Sequence, residues 1–300
     1  MIISVSRRTD IPAFFTPWFL RRLQAGFVWV PNPLNPRQIS QISLLPEDVD
    51  CFVFWSKNFR PLLERLSGLE NRPFYCQFTL NDYGCELEGH VPPLQERIAT
   101  FQALADRIGP ERIIWRYDPM VLSSRYTPDY HAEHFAGIAR RLSGYTRQCV
   151  ISFVDRYRKI ESAWRLHHLI EWQPENMMAT AVRLAAIAGQ NGLSIKTCAE
   201  TLDFTGLGIE PARCVDDRLI AKILGRPFVA AKDKNQRDAC GCVSSVDIGM
   251  YDTCLHGCSY CYANSKLESI RRNVLFHDPE SPLLCGQPDA GAKISIRKER

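Results

Sequence analysis

The chain has 300 residues, of which 45% are hydrophobic and 23% charged, a balance typical of a folded globular protein that excludes a disordered, fibrous or collagen-like chain. Lys and Arg together exceed Asp and Glu by four, so charge alone indicates neither a nucleic-acid nor a membrane-surface partner. No apolar run approaches the roughly 18 residues of a membrane span, and the first residues lack the pattern of a signal peptide, so we expect a cytoplasmic protein with no membrane partner.

Short apolar runs alternate with helical patterns along most of the chain. In chain order, the predicted strands are Ile2–Ser6, Val28–Val30, Cys51–Trp55, Phe74–Leu80, Arg112–Tyr117, Cys149–Val154, Leu193–Thr197 and Ser245–Tyr251. The predicted helices are a segment between the N-cap Thr16 and Gly26, then Phe59–Leu66, Leu94–Ile108, Pro128–Leu142, residues 157–170 and 174–189, Val215–Leu224 and Tyr262–Arg272. Apolar strands that alternate with helices predict a parallel sheet covered by helices.

Eight such units in this length predict an α/β fold of the TIM type, a closed or nearly closed (β/α) barrel. A doubly wound open sheet is the alternative. We assign residues 1–275 to the barrel, including a cysteine-rich insertion at 198–242 and a loop at 254–261. Residues 276–300 are assigned to a C-terminal tail.

The chain contains 12 cysteines, an unusually large number. In a chain of this length without an export signal, we expect metal binding or catalysis from them rather than disulfides. Cys51, Cys76 and Cys149 lie in predicted strands and are expected in the core, whereas Cys85 and Cys285 are expected to be free loop thiols. The other seven lie between residues 198 and 261.

Three of these, Cys254, Cys258 and Cys261, have the spacing C-x3-C-x2-C. Three thiolates on one tight loop can hold three irons of a [4Fe–4S] cluster and leave the fourth iron open, in the way that a catalytic zinc keeps a free position. The spacing alone leaves two other interpretations open. One is a zinc site with His256 or Cys242 as the fourth ligand, and the other is a set of buried cysteines that bind no metal.

With the aromatic Tyr260 directly before its last cysteine, this motif resembles the signature of radical S-adenosylmethionine (SAM) enzymes. The resemblance implies that the open iron of a catalytic [4Fe–4S] cluster binds the amino and carboxylate groups of SAM. It implies that an electron from the cluster cleaves SAM to methionine and a 5′-deoxyadenosyl radical, which abstracts hydrogen from a substrate. It also implies an electron donor such as flavodoxin or ferredoxin, and a place for Tyr260 against the adenine.

Radical SAM enzymes usually carry the motif after the first barrel strand, whereas here it follows the last predicted strand. Over nearly its whole length the chain also resembles an uncharacterised family with the motif at its C-terminal end, through residues 6–10, 55–57, 234–237 and 258–263. In a closed barrel strand eight neighbours strand one, so a permuted order keeps the site in place. The resemblance, which extends distantly to spore photoproduct lyase, names no substrate. We expect a small molecule or a nucleotide, with a nucleic acid as the alternative substrate.

A second set of thiols comprises Cys198, Cys214, Cys240 and Cys242, in loops that bracket the predicted helix at 215–224. Four thiols suit a closed iron–sulfur cluster or an all-cysteine zinc site. Gly241 is the small residue that two ligands one position apart require. We expect an auxiliary [4Fe–4S] cluster here, with zinc or no metal as the alternatives.

Polar residues follow several predicted strands, where the site of a (β/α) barrel lies. SAM needs a carboxylate partner for its amino group and a cation for its own carboxylate. We expect Asp10, with Arg7 or Arg8, to meet these needs, and Lys57 and Asn58 to reach the ribose or the carboxylate.

Further polar residues are candidates for contact with substrate, and they are Arg116, Asp118, Lys234, Asn235 and Arg237. The last three shortly precede Cys240 and suit an anionic substrate or a phosphate. Solvated loop positions are the alternative for all of them, and for Arg116 and Asp118 an ion pair at the barrel mouth is another.

His131 and His134 share a helix face, and we expect them to lie on its exposed surface, with a metal site as the minor interpretation. One alternative comes from another functional class: a zinc- or cluster-stabilised nucleic-acid-binding protein without radical chemistry. The near-neutral charge balance counts against that alternative.

Overall fold

The computed structural model describes residues 1–69 and 71–297. Its strands are β1 (Ile2–Val5), β2 (Phe27–Asn32), β3 (Asn35–Ser43), β4 (Cys51–Ser56), β5 (Phe74–Thr79), β6 (Ile113–Met120), β7 (Gln148–Phe153), β8 (Ser194–Thr197), β9 (Glu210–Pro211), β10 (Val246–Asp247) and β11 (Lys293–Ile296). Its α-helices are α1 (Ile11–Phe14), α2 (Thr16–Ala25), α3 (Arg60–Leu63), α4 (Leu94–Ile108), α5 (Pro128–Leu142), α6 (Glu161–Leu166), α7 (Pro174–Gln190), α8 (Asp217–Leu224) and α9 (Leu267–Leu275).

Eight strands form one all-parallel sheet in the order β10-β1-β4-β5-β6-β7-β8-β9, which confirms the predicted parallel α/β fold. β1 lies beside β10, with Ile3 paired to Val246 and Ser4 paired to Asp247. The first and last strands of the predicted order are therefore neighbours. β10 is shorter than the predicted strand Ser245–Tyr251, because only two of its residues pair.

The assignment of Val28–Val30 to the main sheet was wrong. β2 forms an antiparallel hairpin with β3, and β11 pairs with β3 to complete a separate three-stranded sheet. Residues of β2 alternate between buried and half-buried, a pattern typical of a strand with one face against the core and one face toward solvent. The strands buried on both faces carry continuous apolar runs instead, and the eighth place in the main sheet belongs to the two-residue β9.

The helices that follow β1, β5, β6 and β7 share a single core on one face of the main sheet. Trp18 of α2, Phe101 of α4, Phe135 of α5 and Leu184 of α7 belong to the same buried cluster as Phe52 of β4. Alternate residues of each strand point to this face. Helix α8 packs on the opposite face.

The opposite face of the main sheet, termed the inner face below, has a smaller buried cluster that includes Cys51, Val53, Tyr75 and Ile114 from the strands and Ile220 from α8. Within the described ranges, β9 and β10 form no ladder with each other, so strand pairing does not close the sheet.

The predicted tail at residues 276–300 contains a strand, since β11 pairs in parallel with β3 from Lys293↔Gln38 to Ile296↔Gln41. Residues 298–300 of that predicted tail lie outside the described residues. The helix predicted at Tyr262–Arg272 begins later, at Leu267. In the described part of the chain, no helix combines the length and apolar character needed to cross a membrane.

Candidate metal centres at the carboxyl ends of the strands

The loop that carries the cysteine triplet follows β10, next to the carboxyl end of β1. Asp247 of β10 ties the two strands together, because its carboxylate accepts hydrogen bonds from Ser4 Oγ (2.9 Å), Ser6 Oγ (2.5 Å) and the Arg7 backbone N–H (2.7 Å). Parallel strands end at the same edge of a sheet, so the triplet lies over the edge where the residues after β1 begin.

A segment that follows β5 holds the triplet loop from the other side. Ser259 N–H donates to Leu87 O (2.9 Å), His90 N–H donates to His256 O (2.8 Å), and Glu88 forms an antiparallel bridge with Cys258. Gly257 adopts a φ of 68°, a left-handed conformation that disfavours side chains, which explains a glycine inside the motif. Sequence reasoning did not identify residues 87–90 as part of the site.

The three thiols of the triplet lie close enough to influence one another electrostatically, and each is partly buried. Burial raises the pKa of Cys254, Cys258 and Cys261, and the charge of Lys57 partly offsets this rise for Cys258 and Cys261. The Ala263 N–H donates to Cys261 Sγ (3.4 Å), a contact that favours a thiolate. The donor set is thus three soft sulfur ligands with a lysine ammonium nearby.

Asp10 lies against the triplet loop, as expected from the sequence, but its carboxylate already serves three partners. It accepts hydrogen bonds from the Ala13 N–H (2.9 Å), from the Lys57 N–H (2.9 Å) and from His256 Nε2 (2.7 Å). Within the described ranges His256 Nδ1 is buried and has no hydrogen-bond partner. Asp10 therefore fixes the positions of two neighbouring loops.

Lys57 and Tyr260 meet at Glu88, a buried carboxylate that the sequence did not single out. Lys57 Nζ lies 2.8 Å from Glu88 Oε1, the Tyr260 hydroxyl donates to the same oxygen, and Arg97 Nη2 lies 3.9 Å from Oε2. Burial raises the pKa of Glu88, but Lys57 and Arg97 outweigh burial and hold that pKa below its usual value. Burial likewise opposes the charged form of Lys57, but Glu88 and Cys258 outweigh it and raise its pKa.

The remaining residues predicted to contact SAM lie at the same edge of the sheet. Arg7 Nη2 lies 3.9 Å from Asp233 Oδ2, and Arg8 Nε lies 3.9 Å from Asp247 Oδ1. The Arg8 guanidinium also lies 5.2 Å from the ring centre of Tyr251. Asn58 contacts the start of helix α3 instead. Its Oδ1 accepts a hydrogen bond from the N–H of Arg60, the first residue of α3 (3.1 Å).

The four cysteines of the second set come together on the inner face of the main sheet. Cys198 Sγ lies 3.4 Å from Cys214 Sγ, Cys214 contacts Cys242, and Cys242 contacts Cys240. The bond with Cys242 lowers the pKa of Cys240 to about 7. The hydrogen bond with Cys198 lowers the pKa of the Cys214 thiol. The hydrogen bond with Cys242 and burial have the larger effect, and together they raise that pKa to about 11. The four sulfur atoms thus contact one another in series, in the order Cys198, Cys214, Cys242 and Cys240.

Arg116 of β6 projects from the inner face to the second set. Its Nη1 donates to Cys214 Sγ (2.8 Å), and its Nε lies 3.1 Å from both carboxylate oxygens of Asp118. Burial opposes the charge of Arg116, but Asp118, Cys214 and Cys198 outweigh burial and raise its pKa. The Arg116–Asp118 ion pair predicted as an alternative is present, and it faces the thiols.

Of the residues predicted to contact an anionic substrate before Cys240, two are engaged with neighbours. Arg237 Nη1 lies 2.5 Å from Asp155 Oδ2, and its guanidinium stands 5.5 Å from the ring centre of Tyr157. The Asn235 N–H donates to Asp233 Oδ1 (2.9 Å). Lys234 is exposed. All three lie in the loop that leads to Cys240, outside the contacts of the two thiol sets.

The expectation for His131 was wrong. His131 is fully buried, with Nδ1 2.9 Å from the Tyr117 hydroxyl and Nε2 2.7 Å from Val121 O. Helix α5 packs its apolar side against the sheet, and His131 lies on that side. His134, one turn further on, is half-buried and pairs with Asp82 instead.

The core cysteines are as predicted, since Cys51, Cys76 and Cys149 are fully buried. Cys85 is exposed, and Cys285 is a free thiol but is buried. In the described part of the chain, no three His, Cys, Asp or Glu side chains surround a point as they do about a single metal ion. Each thiolate in an iron–sulfur cluster binds its own iron, so the fit of both thiol sets to metal rests on their donor type and hydrogen bonds.

A comparison with protein families matches residues 2–263 to a family described as Domain of unknown function (DUF1848). The matched range contains all eight strands of the main sheet and both thiol sets. A search of curated proteins finds no significant match.

Proposed function

The chain belongs to the DUF1848 family, and we propose that it is a radical SAM enzyme that acts on a small-molecule or nucleotide substrate. One observation carries this proposal. Cys254, Cys258 and Cys261 lie together on a loop that two other loops hold in place, through Asp10 on one side and Glu88 on the other. Three sulfur ligands on one loop suit a cluster with one open iron.

The finer description of the fold belongs to the same proposal. We infer that the main sheet curves into a closed or nearly closed barrel, permuted so that the triplet follows the last strand. The pairing of β1 with β10 and the single core of crossover helices support this inference. In such a barrel the triplet loop and the residues after β1 share one mouth.

In this proposal Cys254, Cys258 and Cys261 hold a [4Fe–4S] cluster. When bound, the cluster supplies an electron, from a donor such as flavodoxin or ferredoxin, that cleaves SAM to methionine and a 5′-deoxyadenosyl radical. The cytoplasm suits this chemistry, because its reducing conditions keep thiols free for metal.

The chain's own residues would bind and orient SAM. Arg7 and Arg8, which are partly exposed at the mouth, supply cations for the carboxylate of SAM. Lys57 is held by Glu88 with its ammonium toward the thiols, where it offsets negative charge. Tyr260 is buried, and its hydroxyl bond to Glu88 fixes the ring at the edge of the triplet loop.

The test is reductive cleavage of SAM. Protein purified and reconstituted with iron and sulfide in the absence of oxygen is mixed with dithionite and SAM, and 5′-deoxyadenosine is quantified by chromatography. We expect wild-type protein to form it and Cys258→Ala to form none above the enzyme-free background. Cys85→Ala is the matched control, since Cys85 is an exposed thiol outside both sets, and it is expected to match the wild type.

Two outcomes contradict the proposal. One is equal 5′-deoxyadenosine formation by the wild type and Cys258→Ala. The other is a colourless wild-type protein that contains zinc and no iron after anaerobic reconstitution, which favours the metal-stabilised binding protein instead.

A further inference from the structure

The main sheet ends in a very short strand on each side. β9 and β10, its terminal strands, have two residues each, and no ladder joins them in the described ranges. Open sheet edges expose backbone groups and are usually protected by pairing or cover. Among the described residues, one backbone hydrogen bond crosses this gap, from the Val243 N–H to Val215 O (3.1 Å).

The second thiol set lies at this gap. Cys214 follows β9, Cys240 and Cys242 precede β10, and Cys198 follows the neighbouring β8. The contact of Cys214 with Cys242, and a hydrogen bond from the Val215 N–H to Cys242 Sγ (3.4 Å), connect the two ends of the sheet. Contacts made by cysteine sulfurs therefore connect the β9 and β10 ends of the sheet, between which no strand ladder forms in the described ranges.

Side chains of the central strands hold Cys214 firmly from the inner face. The Tyr75 hydroxyl (2.7 Å) and Gln77 Nε2 (2.9 Å) both donate to Cys214 O, while Arg116 donates to Cys214 Sγ. Tyr75, Gln77, Arg116 and Cys214 are all at least nine-tenths buried. A buried guanidinium beside a sulfur stabilises the thiolate that a metal requires.

Two features of the loop around Cys240 and Cys242 suit a metal site. Gly241 is closely packed, since a Cβ there would lie 3.1 Å from both Ala212 O and Arg213 Cγ. A cavity of about 290 Å³, lined by Arg213, Lys232 and Cys240 among others, opens beside the set. The site thus has an entry path, which a predicted metal site should show.

We propose that Cys198, Cys214, Cys240 and Cys242 bind a thiolate-coordinated metal centre that fastens β9 to β10 and so closes the main sheet in place of a strand ladder. Each thiol loses its proton to solvent when its sulfur binds metal, and the sulfur keeps its oxidation state. Iron–sulfur clusters and zinc share this thiolate chemistry, and the experiment distinguishes them. The inference concerns architecture, so it holds whether or not the triplet cleaves SAM.

The test compares the same wild-type chain with and without metal. Full-length protein is stripped with a chelator under reducing conditions, then reconstituted either with iron and sulfide or with Zn²⁺ alone. Metal and sulfide are quantified, and hydrogen exchange of peptides covering residues 209–215 and 240–248 is followed by mass spectrometry. We expect one of the two metals to slow exchange in these peptides at least about tenfold.

Variants assign the effect to the proposed ligands. Cys214→Ala/Cys242→Ala is expected to lose one metal centre and the protection of both peptides, while a variant lacking the three triplet cysteines keeps both. Cys51→Ala is the matched control, because Cys51 is buried in the same inner cluster. It is expected to keep both the metal and the protection.

Three outcomes overturn the proposal. The first is equal metal content in the wild type and Cys214→Ala/Cys242→Ala. The second is equal exchange of stripped and reconstituted wild type, a comparison that does not depend on any variant folding. The third is a Cys198–Cys214 disulfide in place of metal in protein purified without oxygen.

Discussion

His256 Nε2 donates a hydrogen bond to Asp10 Oδ2 at 2.7 Å and joins two residues 246 positions apart in the chain. Asp10 follows the first strand, and His256 lies between the first two cysteines of the triplet. The same carboxylate accepts a hydrogen bond from the backbone N–H of Lys57. The loops that carry Asp10, Lys57 and His256 therefore meet at one buried carboxylate. This bond links the start of the chain to the candidate metal loop.

We expect Asp10→Ala to lower the free energy of unfolding by about 3 kcal/mol, because it leaves buried donors from Lys57 and His256 without an acceptor. Urea unfolding of the anaerobic, reconstituted protein measures this change. Asp129→Ala is the control, since Asp129 pairs with Arg183 at an exposed position and is expected to contribute less than about 1 kcal/mol. Equal effects of the two substitutions would show that the Asp10 junction does not hold the loops.

The Lys57–Glu88 pair is expected to be strongly coupled, because both charges are largely removed from water and lie 2.8 Å apart. We predict that Lys57→Met and Glu88→Gln each destabilise the protein and that the double variant loses less than the sum, with a coupling of about 1–3 kcal/mol. A double-mutant cycle by urea unfolding measures this coupling. The exposed pair Arg147 and Glu111 is the matched control, for which a coupling below about 1 kcal/mol is expected. Additive losses at Lys57 and Glu88 would refute the prediction.

Arg116→Met is predicted to weaken metal binding by the second thiol set about 10- to 100-fold, because it removes the cation that faces Cys214 Sγ. Arg116→Lys keeps the charge but not the paired contacts with Asp118, so we expect an intermediate loss. Competition with a coloured chelator in the variant lacking the triplet cysteines measures the affinity. Unchanged affinity in Arg116→Met would exclude Arg116 as a positioning residue for the set.

His131 predicts a dependence of stability on pH. Burial lowers the pKa of His131 to about 4, so the native histidine stays neutral while the unfolded chain takes up a proton below about pH 6.5. Its contribution to stability is thus complete above pH 6.5 and is lost as the pH falls toward 4. Because the unfolded chain binds a proton that the folded protein does not, the free energy of unfolding falls by about 2 kcal/mol between pH 7 and pH 5.

The measurement compares urea unfolding of the wild type and His131→Gln at pH 7 and pH 5. The variant is expected to lose about 2 kcal/mol less than the wild type over this interval. His167→Gln, which changes a partly exposed histidine, is the control and should follow the wild type. A wild-type loss no larger than that of His131→Gln would mean that His131 is not buried in its neutral form.

Local patterns in the sequence were sufficient for much of the fold. Helices α4 and α5 have the predicted bounds, and seven of the eight predicted strands lie in the main sheet. Apolar periodicity determines these elements directly, because each buried face must carry apolar residues at the spacing of its own helix or strand. The same logic failed for Val28–Val30, since a short apolar run does not specify which strand it pairs with.

The cysteine spacing determined which residues are candidate metal ligands, because a chain can place donors around a metal only from short loops or from loops that converge. Tertiary structure alone decided their surroundings. Glu88 and Arg97 enter the triplet site because the segment after β5 contacts that loop. Arg116 faces Cys214 because a side chain of β6 and the loop after β9 meet on the same inner face. Contacts between side chains far apart in sequence depend on the packing of the whole sheet, and no local pattern encodes them.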